Sequence, residues 1–109
     1  MSIYKTTYHS RIERQDRIVF ILSTVGFGEV VLEKPSRNNT LMRLTDTGVT
    51  LITSADGATI VTAYLTTMNQ AKAITYELTG EKHISKVLYN AITKNMRQNL
   101  FEKCANAKY

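Results

Sequence analysis

TLMRLTDTGVTLITSADGATIVTAYL, residues 40–65, decides the fold class of this chain. Three runs rich in β-branched residues, at 40–45, 49–54 and 58–65, are separated by Asp46-Thr47-Gly48 and Ala55-Asp56-Gly57. Val, Ile and Thr suit a pleated surface, and Asp with Gly suits a tight reversal. The pattern predicts a three-stranded antiparallel meander. On its last strand Ile60, Thr62 and Tyr64 share one face, and Val61, Ala63 and Leu65 share the other. The second set is expected beneath helices, the first along an open cleft.

Upstream, residues 29–33 add a strand, and Lys34-Pro35-Ser36-Arg37-Asn38-Asn39 reads as a loop holding the only proline. Gly26-Phe27-Gly28 reads as a structural turn into that strand, since it lacks a dinucleotide fingerprint. Residues 3–16 place Tyr4, Tyr8 and Ile12 four apart, an apolar stripe if helical. Residues 17–27 suit either a helix or a buried strand, and a short helix ending at Gly26 is favoured.

Downstream, Thr67 and Gln70 form a capping box ahead of Met68, Ala71, Ile74 and Leu78. After Gly80 a second apolar stripe runs from Ile84 through Val87, Leu88, Ala91, Ile92, Met96 and Leu100 to Cys104. It predicts one helix of about six turns, ~35 Å at ~1.5 Å per residue. Ile84, Leu88, Ile92 and Met96 are its expected buried positions. Cys104 falls on the apolar side, where a buried structural thiol is favoured over a nucleophile. The stripe also leaves room for a partner or a second copy of the chain.

The expected architecture is α+β in one domain, residues 1–109. N-terminal helices pack on one face of an antiparallel sheet of about four strands, followed by two C-terminal helices. With 109 residues, the chain can bury one modest core. Its 43% apolar and 21% charged content argues against disorder. The apolar run from Ile18 to Leu22 is too short for a bilayer span, charged residues precede it, and no cleavage site follows. One cysteine excludes an intrachain disulfide and fits a reducing compartment. The expectation is therefore a cytoplasmic protein without a membrane segment.

A net charge of +5 favours an anionic partner. Residues 81–109 hold six basic side chains against two acidic ones, so four of the five net charges lie there. Lys86, Lys94 and Arg97 are the nucleic-acid-binding candidates of that stretch. A solvated helix face is the alternative reading.

Two strings carry candidate chemistry. HSRIER at 9–14 gathers a histidine, two arginines and a carboxylate, and TIVTAY at 59–64 places a hydroxyl and a phenol on one strand face. Metal-free RNA cleavage needs a base for the 2′-hydroxyl, an acid for the leaving oxygen and cations for the phosphorane-like transition state. His9 suits proton transfer because its ordinary pKa lies near ~6.5. Glu13, one turn on, suits orienting the imidazole. Arg11 and Arg14 suit two-pronged phosphate binding. Thr62 and Tyr64 suit donation to phosphate oxygens, and Tyr64 also suits base stacking. The competing reading makes His9 a surface residue, leaves Arg11, Arg14 and Arg17 solvated or paired with Glu13 and Asp16, and makes Tyr64 a half-buried aromatic. His83 is read as a surface residue. Two histidines, one cysteine and no clustered carboxylates make a metal site improbable, so no cofactor is expected.

The layout of His9, Arg11 and Arg14 on an N-terminal helical region, then Thr62 and Tyr64 on a late strand, resembles the BECR ribonucleases. That superfamily unites barnase, EndoU, colicin D and RelE-like enzymes, and the likeness is nearest its phage and toxin branches. It covers residues 5–66 at the level of pattern, leaving 67–109 as a helical extension. The resemblance implies metal-independent endoribonuclease activity, with catalytic His9, Arg11, Arg14, Thr62 and Tyr64 and cyclic phosphate ends. The implied partners are RNA and a protein such as an antitoxin, with a homodimer through the C-terminal helix as a further option. The rival function is a small non-enzymatic binding protein, such as a phage-encoded inhibitor engaging a nucleoprotein or host protein.

Overall fold

The meander at 40–65 forms as read. In a computed structural model, residues 8–107 are described, with side chains from Gln15 onward. Helix α1 (Tyr8–Thr24) leads into strands β1 (Val30–Ser36), β2 (Thr40–Thr45), β3 (Val49–Ser54) and β4 (Ile60–Leu65). Helices α2 (Met68–Thr79), α3 (Lys86–Arg97) and α4 (Leu100–Ala105) follow. The sheet order is β1-β2-β3-β4, each strand antiparallel to the next. Both reversals of the meander end on a left-handed glycine, Gly48 at φ 79° and Gly57 at φ 76°. In the second, the Asp56 carboxylate accepts from the Ser54 hydroxyl and from the Ala58 N–H. Those two bonds hold its pKa below the ordinary carboxylate value, the Ser54 hydroxyl most of all.

The predicted loop at 34–39 is half strand and half turn. β1 continues to Ser36, with Pro35 opposite Leu41. An edge strand leaves every second N–H pointing outward, so a proline there costs no ladder bond. The turn itself is Arg37–Asn39, where Asn38 and Asn39 take φ 58° and 59°. Asparagine is the non-glycine residue that best tolerates this region.

At the N-terminus, one helix replaces the expected two segments. It stops where Gly26 was expected to stop it: the Val25 and Gly26 N–H groups both donate to the Ile21 carbonyl. Its β-branched run stays helical because Ile18, Phe20 and Ile21 pack on the sheet, and packing outweighs propensity. Tyr4, the first member of the expected N-terminal stripe, lies outside the described residues.

The capping box forms: the Gln70 N–H donates to the Thr67 hydroxyl, and the Thr67 N–H donates to the Gln70 side chain. The single long C-terminal helix does not. It breaks at Gln98-Asn99, where Asn99 takes φ 57°. Within α3, Asn95 is buried and Met96, expected in the core, is 57% exposed. Asn95 belongs inside because its amide donates to the Thr47 carbonyl. Ile84 is partly buried, while Leu88 and Ile92 are fully buried.

The helices cover both faces of the sheet, not one. Ile21 of α1 and Leu100 and Cys104 of α4 cluster with Val49, Leu51, Ala63 and Leu65. Ala71 of α2 and Leu88 and Ile92 of α3 cluster with Leu44. Leu44 pairs across to Thr50, which points opposite to Val49 and Leu51. Threonine disguised the second face as a wet one. Thr50 is buried, and its hydroxyl is satisfied by Thr66 at 2.6 Å.

Urea melts check this arrangement. Ile92→Ala should cost ~2–5 kcal/mol, and Met96→Ala less than ~0.5 kcal/mol. Gly80 has open space around it, so Gly80→Ala should cost only the left-handed backbone term, ~1–2 kcal/mol. At Gly48 a Cβ would lie 2.9 Å from Asn95 Nδ2 and 3.3 Å from Ile92 Cγ1. Gly48→Ala should therefore cost ~1–3 kcal/mol more. Equal losses at Ile92 and Met96 would restore the unbroken stripe.

Candidate functional site at the seam of α1 and β4

The two strings nominated from sequence fall on elements that touch. α1 lies along β4, with Ile21 packed against Ala63 and Leu65. These two strand residues point beneath α1, as expected. Thr62 and Tyr64 point to the opposite side, the face covered by α2 and α3. Tyr64 sits in the cross-strand row Leu32, Leu44, Thr50, Tyr64. Thr62 sits in the next row, Lys34, Met42, Ile52, Thr62, whose four members are all half-buried.

One contact ties the elements together across the open edge of β4. Arg17 Nη2 of α1 donates to Thr62 Oγ1 at 3.3 Å. The guanidinium is half-buried, and its Nε is shielded from solvent with no hydrogen-bond partner among the described residues. A shielded donor without a partner costs free energy. Because Thr62 accepts from Arg17, its own proton is left to donate. A guanidinium joined to a hydroxyl in this way presents donors to two oxygens of one oxyanion.

Arg17 is the residue the sequence reading missed as a site candidate, having left it as solvated or paired with a neighbouring carboxylate. Its position held a signal: His9, Glu13 and Arg17 are spaced by four, on one side of α1. His9, Arg11, Glu13 and Arg14 lie on the described backbone of α1, and their side chains lie outside the described residues.

Tyr64 is half-buried, which pushes its phenol above the ordinary value, tempered by the Thr50 hydroxyl. Cys104 is buried in the cluster beneath α1, as the structural reading held. Burial raises its thiol pKa, and the nearby Arg17 charge offsets this in part. Lys86, Lys94 and Arg97 are all exposed on α3. His83 is exposed, at the lip of a mainly apolar groove of about 430 Å³ that also includes Val31, Leu32 and Ile84. Among the described residues, no three His, Cys, Asp or Glu side chains gather as metal ligands, and no helix is long and apolar enough to cross a membrane.

The Tyr64 environment is testable by alkaline titration. Its folded pKa is raised, so its contribution to stability is complete below the unfolded value near ~10 and is lost as pH rises through the folded value. Difference absorbance of wild type against Tyr64→Phe should show one phenol ionising above the ordinary range, and the variant's stability should fall less steeply above pH ~10. A Tyr64 component at the ordinary value would place the ring in water. No protein-family model, curated protein or solved structure matches this chain.

Proposed function

We propose that this protein is a metal-independent endoribonuclease of the BECR kind, acting at the seam of α1 and β4. The observation that carries the reading is the Arg17–Thr62 hydrogen bond, which couples the helix bearing His9 to the strand bearing Thr62 and Tyr64. In the proposed reaction a base takes the 2′-hydroxyl proton, and the 2′-oxygen attacks phosphorus. The bond from phosphorus to the 5′-oxygen breaks, and an acid protonates that oxygen. The products are a 2′,3′-cyclic phosphate and a 5′-hydroxyl. His9 is the proton-transfer group, with Glu13 orienting it. Arg11 and Arg14 hold the scissile phosphate. Arg17, Thr62 and Tyr64 supply donors for the charge that grows on its oxygens.

The test incubates purified protein with mixed cellular RNA in EDTA. Wild type should leave cyclic phosphate ends. His9→Ala should lose ~10²–10⁴-fold in rate with the fold intact by circular dichroism. Arg17→Met should lose ~10²–10³-fold. Thr62→Val keeps the strand shape and removes one donor, so its loss should be smaller. Intact RNA with wild type over a wide protein range would end the hydrolytic reading.

A further inference from the structure

We infer that the outward face of α3 is a docking track for the backbone of single-stranded RNA, separate from the α1–β4 seam. RNA as the occupant rests on the reading of that seam. The helix KVLYNAITKNMR carries three cations, Lys86, Lys94 and Arg97, and no carboxylate. All three are exposed, and the ion pairs Lys34–Glu77 and Arg43–Glu33 lie elsewhere. Leu88, Ile92 and Asn95 are buried and fix the opposite side of the helix to the core. Helical spacing then aligns Lys86, Asn90 and Arg97 along the outer side, with Lys94 beside them. The row extends ~16 Å at ~1.5 Å per residue.

Three like charges held in a row without a counter-charge on their own helix complement a polyanion. The half-exposed Tyr89 ring flanks the row and gives a base a surface for stacking. A lipid surface fits less well. An interfacial helix needs its apolar face for the bilayer, and the α3 apolar face is used against Leu44 and Ala71. The helix packs on the sheet face that carries Tyr64, opposite to the face covered by α1. Leu88 and Ile92 pack with Leu44, which belongs to the same cross-strand row as Tyr64.

The test measures fluorescence anisotropy of a labelled single-stranded oligouridylate against salt concentration, with every protein in a His9→Ala background to prevent cleavage. Replacing Lys86, Lys94 and Arg97 together by glutamine should weaken binding and reduce the log–log salt slope by up to ~2, at ~0.7 for each phosphate no longer neutralised. Tyr89→Ala should weaken binding with the slope unchanged. An unchanged affinity and slope in the triple variant overturns the track, as does equal or tighter binding to phosphatidylserine vesicles at matched charge. The two proposals fail separately: a reduced slope without RNA cleavage by wild type ends the seam reading alone, and cleavage with an unchanged slope ends the track alone.

Discussion

The turn Asp46-Thr47-Gly48 holds the rest of the molecule in place. The Asp46 carboxylate accepts from the Glu29 N–H at 3.0 Å and so positions the start of β1. The Thr47 hydroxyl donates toward the Gly26 and Phe27 carbonyls at 2.9 and 3.0 Å, which sets the exit of α1. Its backbone carbonyl accepts from Asn95 of α3. The Gly48 carbonyl accepts from the Thr66 N–H, which fixes the path from β4 into α2. Four elements far apart in sequence therefore meet at one reversal. Gly28 answers the same constraint from the other side, because a Cβ there would collide with Asp46 Oδ1. The bare backbone of that linker is what lets the turn come so close.

Around this hub the sheet is covered twice, and the chemistry of threonine makes that possible. Thr45, Thr50, Thr53 and Thr66 are all fully buried. A methyl and a hydroxyl on one carbon fill core volume while asking for a single hydrogen bond. Thr50 meets Thr66, Thr45 meets Thr47, and Thr53 donates to the Ser54 carbonyl. Each of these demands is met within the sheet or its turns, so helices close over both sides without leaving these four hydroxyls unpaired.

What was legible in the sequence follows from the range of the forces involved. The hairpins, the Thr67 capping box and the stop at Gly26 rest on contacts within a few residues, and those readings hold. The misreadings mostly concern partners distant in sequence, the local break at Gln98-Asn99 excepted. Pro35 looks like a loop residue until the strand is known to lie at an edge. Met96 looks like a core position until Asn95 is known to reach the Thr47 carbonyl. The face of Thr62 and Tyr64 looks like an open cleft until Thr50 is found buried beside Thr66 and α3 packed on Leu44. Arg17 looks solvated or paired with a neighbouring carboxylate until β4 is laid along α1. Periodicity assigns a residue to a face of its own element, and what stands opposite that face is settled by the fold as a whole.

On the proposed reading, the support of Arg17 and Thr62 explains how the fold would hold a site. Thr62 stands on an edge strand, so its hydroxyl is reachable from outside the sheet while its backbone is held by the ladder to Ile52. Arg17 stands on a helix anchored by Ile18 and Ile21, so its guanidinium approaches that hydroxyl from a rigid support. Groups held this way need little reorganisation when an anion arrives. Partial burial strengthens the effect, since a charge shielded from water interacts more strongly with an oxyanion than an exposed one does. The shielded Nε has no hydrogen-bond partner among the described residues. On the proposed reading, a phosphate oxygen bound beside Thr62 would give that shielded donor its partner.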